Sequence, residues 1–411
     1  MRYVVLGASA AGVNGVRQLR KRCPEAEIVL VSKDEEIYSR CILHHLIGGL
    51  RTEEQLCFAE ADFEKRYGVD WRKGVACTGV DAEKREIALS DGTSLAYDKL
   101  LIATGSHTFL PPVKGLKEAK GVYGFRDMEE TKAIMEAAKT AEHIVIMGGG
   151  LTGLDAATGF LHMGRSVELV EMADRLLVKQ LDHRAASTYE KALEAAGVRL
   201  HLGCAMEEVR LKSDGRVESL LLSDGSEIPC DLLVVTAGVR ANVEFLEGSG
   251  LLLDQFGLVI EPDGRTNLPD IYGAGDVTGR SPIWPAAVKQ GMVAADNMAG
   301  FDMSMDDFFA SKSTMNFLGI PTMSLGVPEK PDDTYEEITE DTGDQYRKVI
   351  HKGGKIYGAI LQGDLAYGGV LTQLIARKID VSKVKKPLFS IDYSDFFHTS
   401  DQFEFYYEVT N

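Results

Sequence analysis

The sequence predicts an α/β fold, and three short segments carry that prediction. Val4-Val5-Leu6-Gly7-Ala8-Ser9-Ala10-Ala11-Gly12 and Ile144-Val145-Ile146-Met147-Gly148-Gly149-Gly150-Leu151-Thr152-Gly153 each read as an apolar strand, a glycine-rich turn and the start of a helix. Ile271-Tyr272-Gly273-Ala274-Gly275-Asp276 reads as a late strand closing on Gly-x-Gly-Asp. The first two have the form of a dinucleotide pyrophosphate site, and their leading glycines lie 141 residues apart. One such turn alone is a weak signal. Two of them with a closing Asp predict two Rossmann-like nucleotide-binding units, one for a flavin and one for a nicotinamide, followed by a C-terminal α+β unit.

In the second turn, Gly148 permits the tight bend, Gly150 lets a pyrophosphate approach the backbone, and Gly153 lets the helix pack close to the strand. The phosphates then face unpaired N–H groups at the positive end of a helix dipole. Val167, Leu169 and Val170 predict the next strand, which Glu171 ends, 23 residues after Gly148. A carboxylate there accepts from ribose hydroxyls and repels a 2′-phosphate, so NADH is favoured over NADPH, although Arg175 follows closely. The first turn is Gly7-x-Ser9-x-x-Gly12, with Ser9 where a glycine is usual. Its second strand is Ile28 to Val31, and the acid slot holds Ser32 and Lys33, leaving Asp34, Glu35 or Glu36 to substitute.

Further along, Tyr97 to Gly105 predicts a buried strand ending in Ala103-Thr104-Gly105, and Pro111-Pro112 stops regular structure. Asp231 to Gly238 is a second such strand. Asp91-Gly92 and Asp224-Gly225, each between apolar runs, predict hairpin turns. The two halves therefore show a weak internal repeat. After residue 305 the composition changes, with strands expected at Arg347 to His351 and Lys355 to Leu361 and a helix through Leu371 to Ile375.

The 411 residues carry a formal net charge of −17. That disfavours nucleic acid or an anionic membrane as partner, and no apolar run is long enough to span a bilayer. Six scattered cysteines without a C-x-x-C pair suggest a reducing compartment, hence the cytoplasm, and no metal cluster.

Taken together, these segments resemble the FAD-dependent pyridine nucleotide-disulfide oxidoreductase superfamily over essentially the whole chain. Trp284 to Gly291 is similar to the NADH oxidase, coenzyme A-disulfide reductase, rubredoxin reductase and nitrite reductase branches. The resemblance implies FAD and NADH as cofactors. It implies that Asp276 bonds the ribityl chain of FAD, that Ala103, Thr104 and Gly105 pack against FAD, and that Thr236 to Asn242, with Gly238, links back from the NAD-binding unit. It divides the chain into a discontinuous FAD-binding unit (1–112 and 241–305), an NAD-binding unit (113–240) and a C-terminal interface unit (306–411), the last implying a homodimer. The family's acid after the second turn, often paired with a Lys near the flavin, corresponds to Asp155. No Lys partner is evident, and a surface acid in the first helical turn is the competing reading. The aromatic tail from Phe396 to Tyr407 either covers a partner subunit's flavin or packs on its own unit.

Tyr38-Ser39-Arg40-Cys41-Ile42-Leu43-His44-His45 bears on the branch. Cys41 stands in the register of a redox cysteine, and Arg40, among the expected cofactor-binding residues, together with His44, His45 and a helix N-terminus would favour its thiolate. Against this, Tyr-x-Arg resembles the rubredoxin and nitrite reductase branches, which lack that cysteine. Ile42 and His44 replace the usual Gly and Pro. A small residue packing at the flavin is then the plainer reading. Ala10 stands where NADH peroxidase has a histidine. One of His44 and His45 is a candidate acid or base, since neighbours on a helix point about 100° apart. The implied reaction is hydride transfer from NADH to FAD, then electron transfer to a small redox protein or O2. The alternatives are Cys41-dependent reduction of a coenzyme A disulfide or persulfide, and a flavin-bound sensor or scaffold.

Overall fold

A computed structural model describes residues 1–280, 282–305, 312–402 and 405–407. It contains two five-stranded parallel sheets of the same design. In the first, the order is Ile271–Gly273, Lys99–Ile102, Arg2–Leu6, Glu27–Ser32, Val69–Lys73. In the second it is Val122–Gly124, Leu232–Val235, Ile144–Met147, Val167–Glu171, Arg199–Leu202. The central strands are runs of Val, Ile and Leu with nearly every side chain buried, as strands covered on both faces require.

What covers them repeats too. One face of the first sheet packs on the helices Ala10–Arg22 and Trp284–Met298. The other packs on an antiparallel sheet of Cys77–Asp81, Glu86–Leu89 and Ser94–Ala96 through Val80, Ile87 and Leu89. The second sheet carries the helices Met128–Ala138, Leu151–His162 and His183–Ala195 on one face. On the other lies the antiparallel sheet Met206–Leu211, Val217–Leu222, Glu227–Pro229. Both Asp-Gly turns close hairpins in these small sheets. The weak repeat in the sequence is thus an architectural one. The two sheets differ at one edge. The first is completed by a strand from late in the chain, the second by one that precedes its glycine turn. Ser106–Thr108 and Val239–Ala241 pair antiparallel where the chain leaves and re-enters the first sheet.

The C-terminal unit is an antiparallel sheet in the order Ser313–Phe317, Ile320–Gly326, Lys355–Gln362, Tyr346–Lys352, Glu336–Asp341, with the helix Gly368–Ala376 against one face. It docks on the His183–Ala195 helix. The Tyr189 hydroxyl donates to Ile320 O and accepts from Thr322 Oγ1, each at 2.7 Å. Asp182 caps that helix on Ala185 N and also accepts from Tyr346 Oη (2.5 Å) and Lys348 Nζ (3.0 Å), all three side chains being buried. Of the aromatic tail, Phe396 packs against the core of its own unit. Phe403 and Glu404 lie outside the described residues, and the backbone of Phe405–Tyr407 pairs with Phe397–Thr399.

Candidate active site

Strand register brings the three sequence segments together. Leu6 and Gly273 both pair with Ile102, so Gly7, Ala103 and Ala274 leave the sheet side by side at its carboxyl edge. That edge, between strands whose connections run to opposite sides, is where open α/β sheets bind ligands. Gly7 has φ +104°, and a Cβ there would lie 2.2 Å from Ala103 O. A Cβ on Gly12 would lie 1.8 Å from Gly7 O. The second turn repeats this. Gly148 has φ +114° and abuts Thr236, and a Cβ on Gly153 would lie 1.9 Å from Gly148 O. A Cβ on Gly150 would meet nothing within 4 Å. Two of the three glycines are therefore required by the turn itself, and Gly150 faces open space. Ser9 holds the equivalent place, as N-cap of its helix, and its side chain makes no capping bond. Neither helix has an acid in its first turn, so both N-termini present their N–H groups to an anion.

A cavity of about 610 Å³ opens at the first turn, within the size range of cofactor sites. It runs from Gly7–Ala11 past Ser32–Asp34 and Arg40–Cys41, along Ala103–Ser106, to Gly275–Asp276 and Trp284. Of the acids proposed for the irregular slot, Asp34 lines the cavity. Its carboxylate accepts from Arg40 Nη2 (2.5 Å) and Tyr38 Oη (3.1 Å). Asp276 accepts from Ser106 Oγ (3.1 Å) and pairs with Arg126, whose Nε is buried without a partner. An open cradle of N–H groups, an elongated cavity and an unsatisfied guanidinium donor at its wall fit a dinucleotide such as FAD. Arg126 was not among the residues singled out from sequence. It follows the edge strand Val122–Gly124 with no motif around it, and it reaches Asp276 only because the two sheets abut.

At the second turn, Glu171 Oε2 accepts from Gly149 N (2.5 Å) and Oε1 from Ala173 N (2.7 Å). Its carboxylate is thus clamped beside the turn. Arg175 is turned away. It is buried and donates to Leu181 O and Glu329. Gly238 has φ +117° with open space where a Cβ would stand, and its carbonyl accepts from Phe109 N.

The surroundings of Cys41 correct one expectation. Cys41 lies in the short turn Arg40–Ile42, exposed on the cavity that it lines, but desolvation by the protein around its thiol pushes it up, with Asp155 and Asp276 acting in the same sense and Arg126 opposing them. Arg40, expected to favour the thiolate, spends its guanidinium on Asp34 and Arg126 O (3.1 Å). The net environment favours the neutral thiol.

His44 and His45 lie on the short helix Leu43–Ile47, rings edge to face at 4.3 Å. That helix packs on Leu151–His162 through two glycines. A Cβ on Gly159 would lie 3.0 Å from His44 O, and one on Gly48 would lie 2.8 Å from His162 Cβ. Asp155 is in the second turn of its helix, not the first, and it faces this contact rather than open solvent. His44 Nδ1 stands 3.3 Å from its Oδ1. Burial pushes Asp155 up to about 8 and His44 down to about 4. The surface-acid reading of Asp155 is therefore wrong, and its neighbour is a histidine where the family often has a lysine.

Residues 1–291 match the pyridine nucleotide-disulphide oxidoreductase family, and residues 312–379 match the rubredoxin NAD+ reductase C-terminal domain. The chain belongs to the pyridine nucleotide-disulphide oxidoreductase family. It is accordingly an FAD-dependent NAD(P)H oxidoreductase. It is 28% identical over 398 residues to the NADH-dependent phenylglyoxylate dehydrogenase subunit epsilon of Aromatoleum evansii, covering 93% of each chain. It is 30% identical over 321 residues to an NADH oxidase of Methanocaldococcus jannaschii, covering 74% of this chain and 71% of that one. It spans about half (51%) of the assimilatory nitrate reductase electron transfer subunit of Bacillus subtilis, at 26% identity. Among solved structures, the NAD-dependent persulfide reductase from A. fulgidus superposes with a TM-score of 0.83 at 26% identity, over 92% of this chain and 77% of that one.

Proposed function

We propose that this protein takes electrons from NADH through FAD to a small redox protein or O2. The observation that carries the reading is the pair of matching glycine cradles on two like sheets, one of which opens on the long cavity. FAD, when bound, supplies the two-electron acceptor and the store from which electrons leave. The first cradle holds its pyrophosphate, Asp276 takes its ribityl hydroxyls, and Ala103 to Gly105 form a wall without bulk. The second cradle holds the NADH pyrophosphate, and the clamped Glu171 accepts from the adenine ribose and disfavours a 2′-phosphate. The match of residues 312–379 to a rubredoxin reductase domain supports a small redox protein as acceptor. No helix among the described residues is long and apolar enough to cross a membrane. A cytoplasmic homodimer is part of the proposal, resting on the family resemblance and on six unpaired cysteines.

The test is anaerobic titration of the holoenzyme with NADH, followed at the flavin absorbance, and then an acceptor panel of a rubredoxin, a ferredoxin, O2 and a coenzyme A disulfide. Flavin that stays oxidised with excess NADH would overturn the proposal. A second reading, Cys41-dependent reduction of a disulfide or persulfide, is favoured by one observation: Cys41 faces the cavity. Loss of disulfide turnover in Cys41→Ser, with dye reduction retained, would establish it.

A further inference from the structure

The contact between Leu43–Ile47 and Leu151–His162 joins the segment bearing Cys41 to the helix that begins at the second cradle. Two titratable side chains meet there: buried His44 Nδ1 has no hydrogen-bond partner and stands 3.3 Å from Asp155 Oδ1, where a proton on the carboxyl would satisfy it. We propose that His44 and Asp155 act as one proton-sharing pair across this seam, and that seating NADH on the second cradle draws a proton from solvent onto Asp155. The proposal rests on the reading of that cradle as the NADH site.

The charge inventory around the pair supports this. His45 shares its helix, Arg51 follows it, and His162 lies on the helix of Asp155. Cys41, Arg126 and Asp276 stand on the cavity side. From the Met128–Ala138 helix, which also packs here, Lys132 is tied to Glu53 at 2.6 Å. Arg126 is likewise held by Asp276. None of these cations reaches Asp155 as an ion-pair partner, and burial disfavours a charged imidazolium at His44. With no cation to oppose it, burial pushes the Asp155 carboxyl up to about 8, which brings its titration into the range where a nearby anion can add a proton. NADH brings two phosphate charges to the N-terminus of the same helix, roughly 6 Å along the axis from Asp155. Like charges at that separation favour the protonated carboxyl by about tenfold or more. The balance is one proton from solvent onto one carboxylate oxygen, with no electron moved. His44 is a positioning residue here. It accepts from the carboxyl O–H and fixes its direction.

The experiment is calorimetric titration of oxidised holoenzyme with 1,4,5,6-tetrahydro-NAD, which carries the phosphates and a neutral ring but transfers no hydride. Each titration is run in two buffers of different ionisation enthalpy. Uptake of roughly 0.4 proton per nucleotide is expected near pH 8, falling towards zero by about pH 6. Asp155→Asn should bind the analogue with no proton exchange at pH 8. In His44→Phe, loss of the acceptor removes a bond to the protonated carboxyl and should move the uptake maximum to lower pH. Binding of wild type without buffer dependence across pH 6–9 would overturn the proposal, as would unchanged uptake in Asp155→Asn. Absence of any binding by wild type would instead refute the cradle assignment on which it rests.

Discussion

The contrast between Gly150 and Gly153 gives the sharpest test of the second cradle. The two are three residues apart, yet an added methyl meets opposite surroundings. At Gly153 a Cβ would sit 1.9 Å from Gly148 O and 3.0 Å from its carbonyl carbon. Both are backbone atoms of the turn, so the helix must move off the strand. Overpacking of this kind costs about 1–3 kcal/mol, which the roughly 1 kcal/mol helix preference of Ala over Gly only partly offsets. At Gly150 the backbone (φ −81°, ψ −173°) suits any residue, and a methyl touches no protein atom. It would occupy the space reserved for phosphate. Gly153→Ala should therefore lower the melting temperature by several degrees. Gly150→Ala should melt like wild type and keep its FAD, but bind NADH at least about tenfold more weakly, a loss of about 1.4 kcal/mol. The assays are thermal melts with flavin content, and the NADH dependence of flavin reduction in stopped flow. Wild-type NADH affinity in Gly150→Ala, or FAD loss in place of NADH loss, would refute the assignment of this turn.

Much of the site was legible because its parts are local. Gly12 and Gly153 are fixed by contacts within their own strand–turn–helix units, Gly7 and Gly148 by the positive φ of the turn that the local motif announces, and Glu171 by the end of the adjacent strand. Asp276 was legible through a resemblance, since nothing local says that a strand near residue 271 pairs with one near 100. Arg126 was not legible, because its role comes from two sheets meeting, and sequence spacing carries no trace of that. Asp155 and His44 were each noted, but their partnership depends on two glycines, Gly48 and Gly159, that let short helices approach. The electrostatics of Cys41 failed for a related reason. Arg40 is adjacent in sequence, but Asp34 and the Arg126 carbonyl claim its guanidinium.

Glu171→Gln should raise the NADPH-to-NADH ratio of kcat/KM by about tenfold, because a neutral amide no longer repels a 2′-phosphate; an unchanged ratio would remove Glu171 from the specificity argument. Asp182→Ala strips the cap of the His183–Ala195 helix and leaves Tyr346 and Lys348 short of a buried acceptor, so urea unfolding should show a loss of about 2–4 kcal/mol. Asp276→Ala should purify with depleted FAD, at roughly 1–3 kcal/mol of binding; full yellow occupancy would refute its ribityl role. The last prediction concerns Cys41. Desolvation by the cavity wall and two nearby carboxylates hold its proton on, and Arg126, the cation that opposes them, is already paired with Asp276. A thiol in that state gives no thiolate-to-flavin charge-transfer band, so the oxidised holoenzyme should lack long-wavelength absorbance at neutral pH. Freeing the cation should change this. In Asp276→Asn, reconstituted with excess FAD, Arg126 loses its carboxylate and Cys41 loses a repelling charge, and both changes lower the thiol pKa. A charge-transfer band should then grow in at lower pH than in wild type and vanish in the Asp276→Asn/Cys41→Ser double variant. A band already present in wild type at pH 7, and lost in Cys41→Ser, would show that the bound flavin overrides these charges and that Cys41 is a redox thiol.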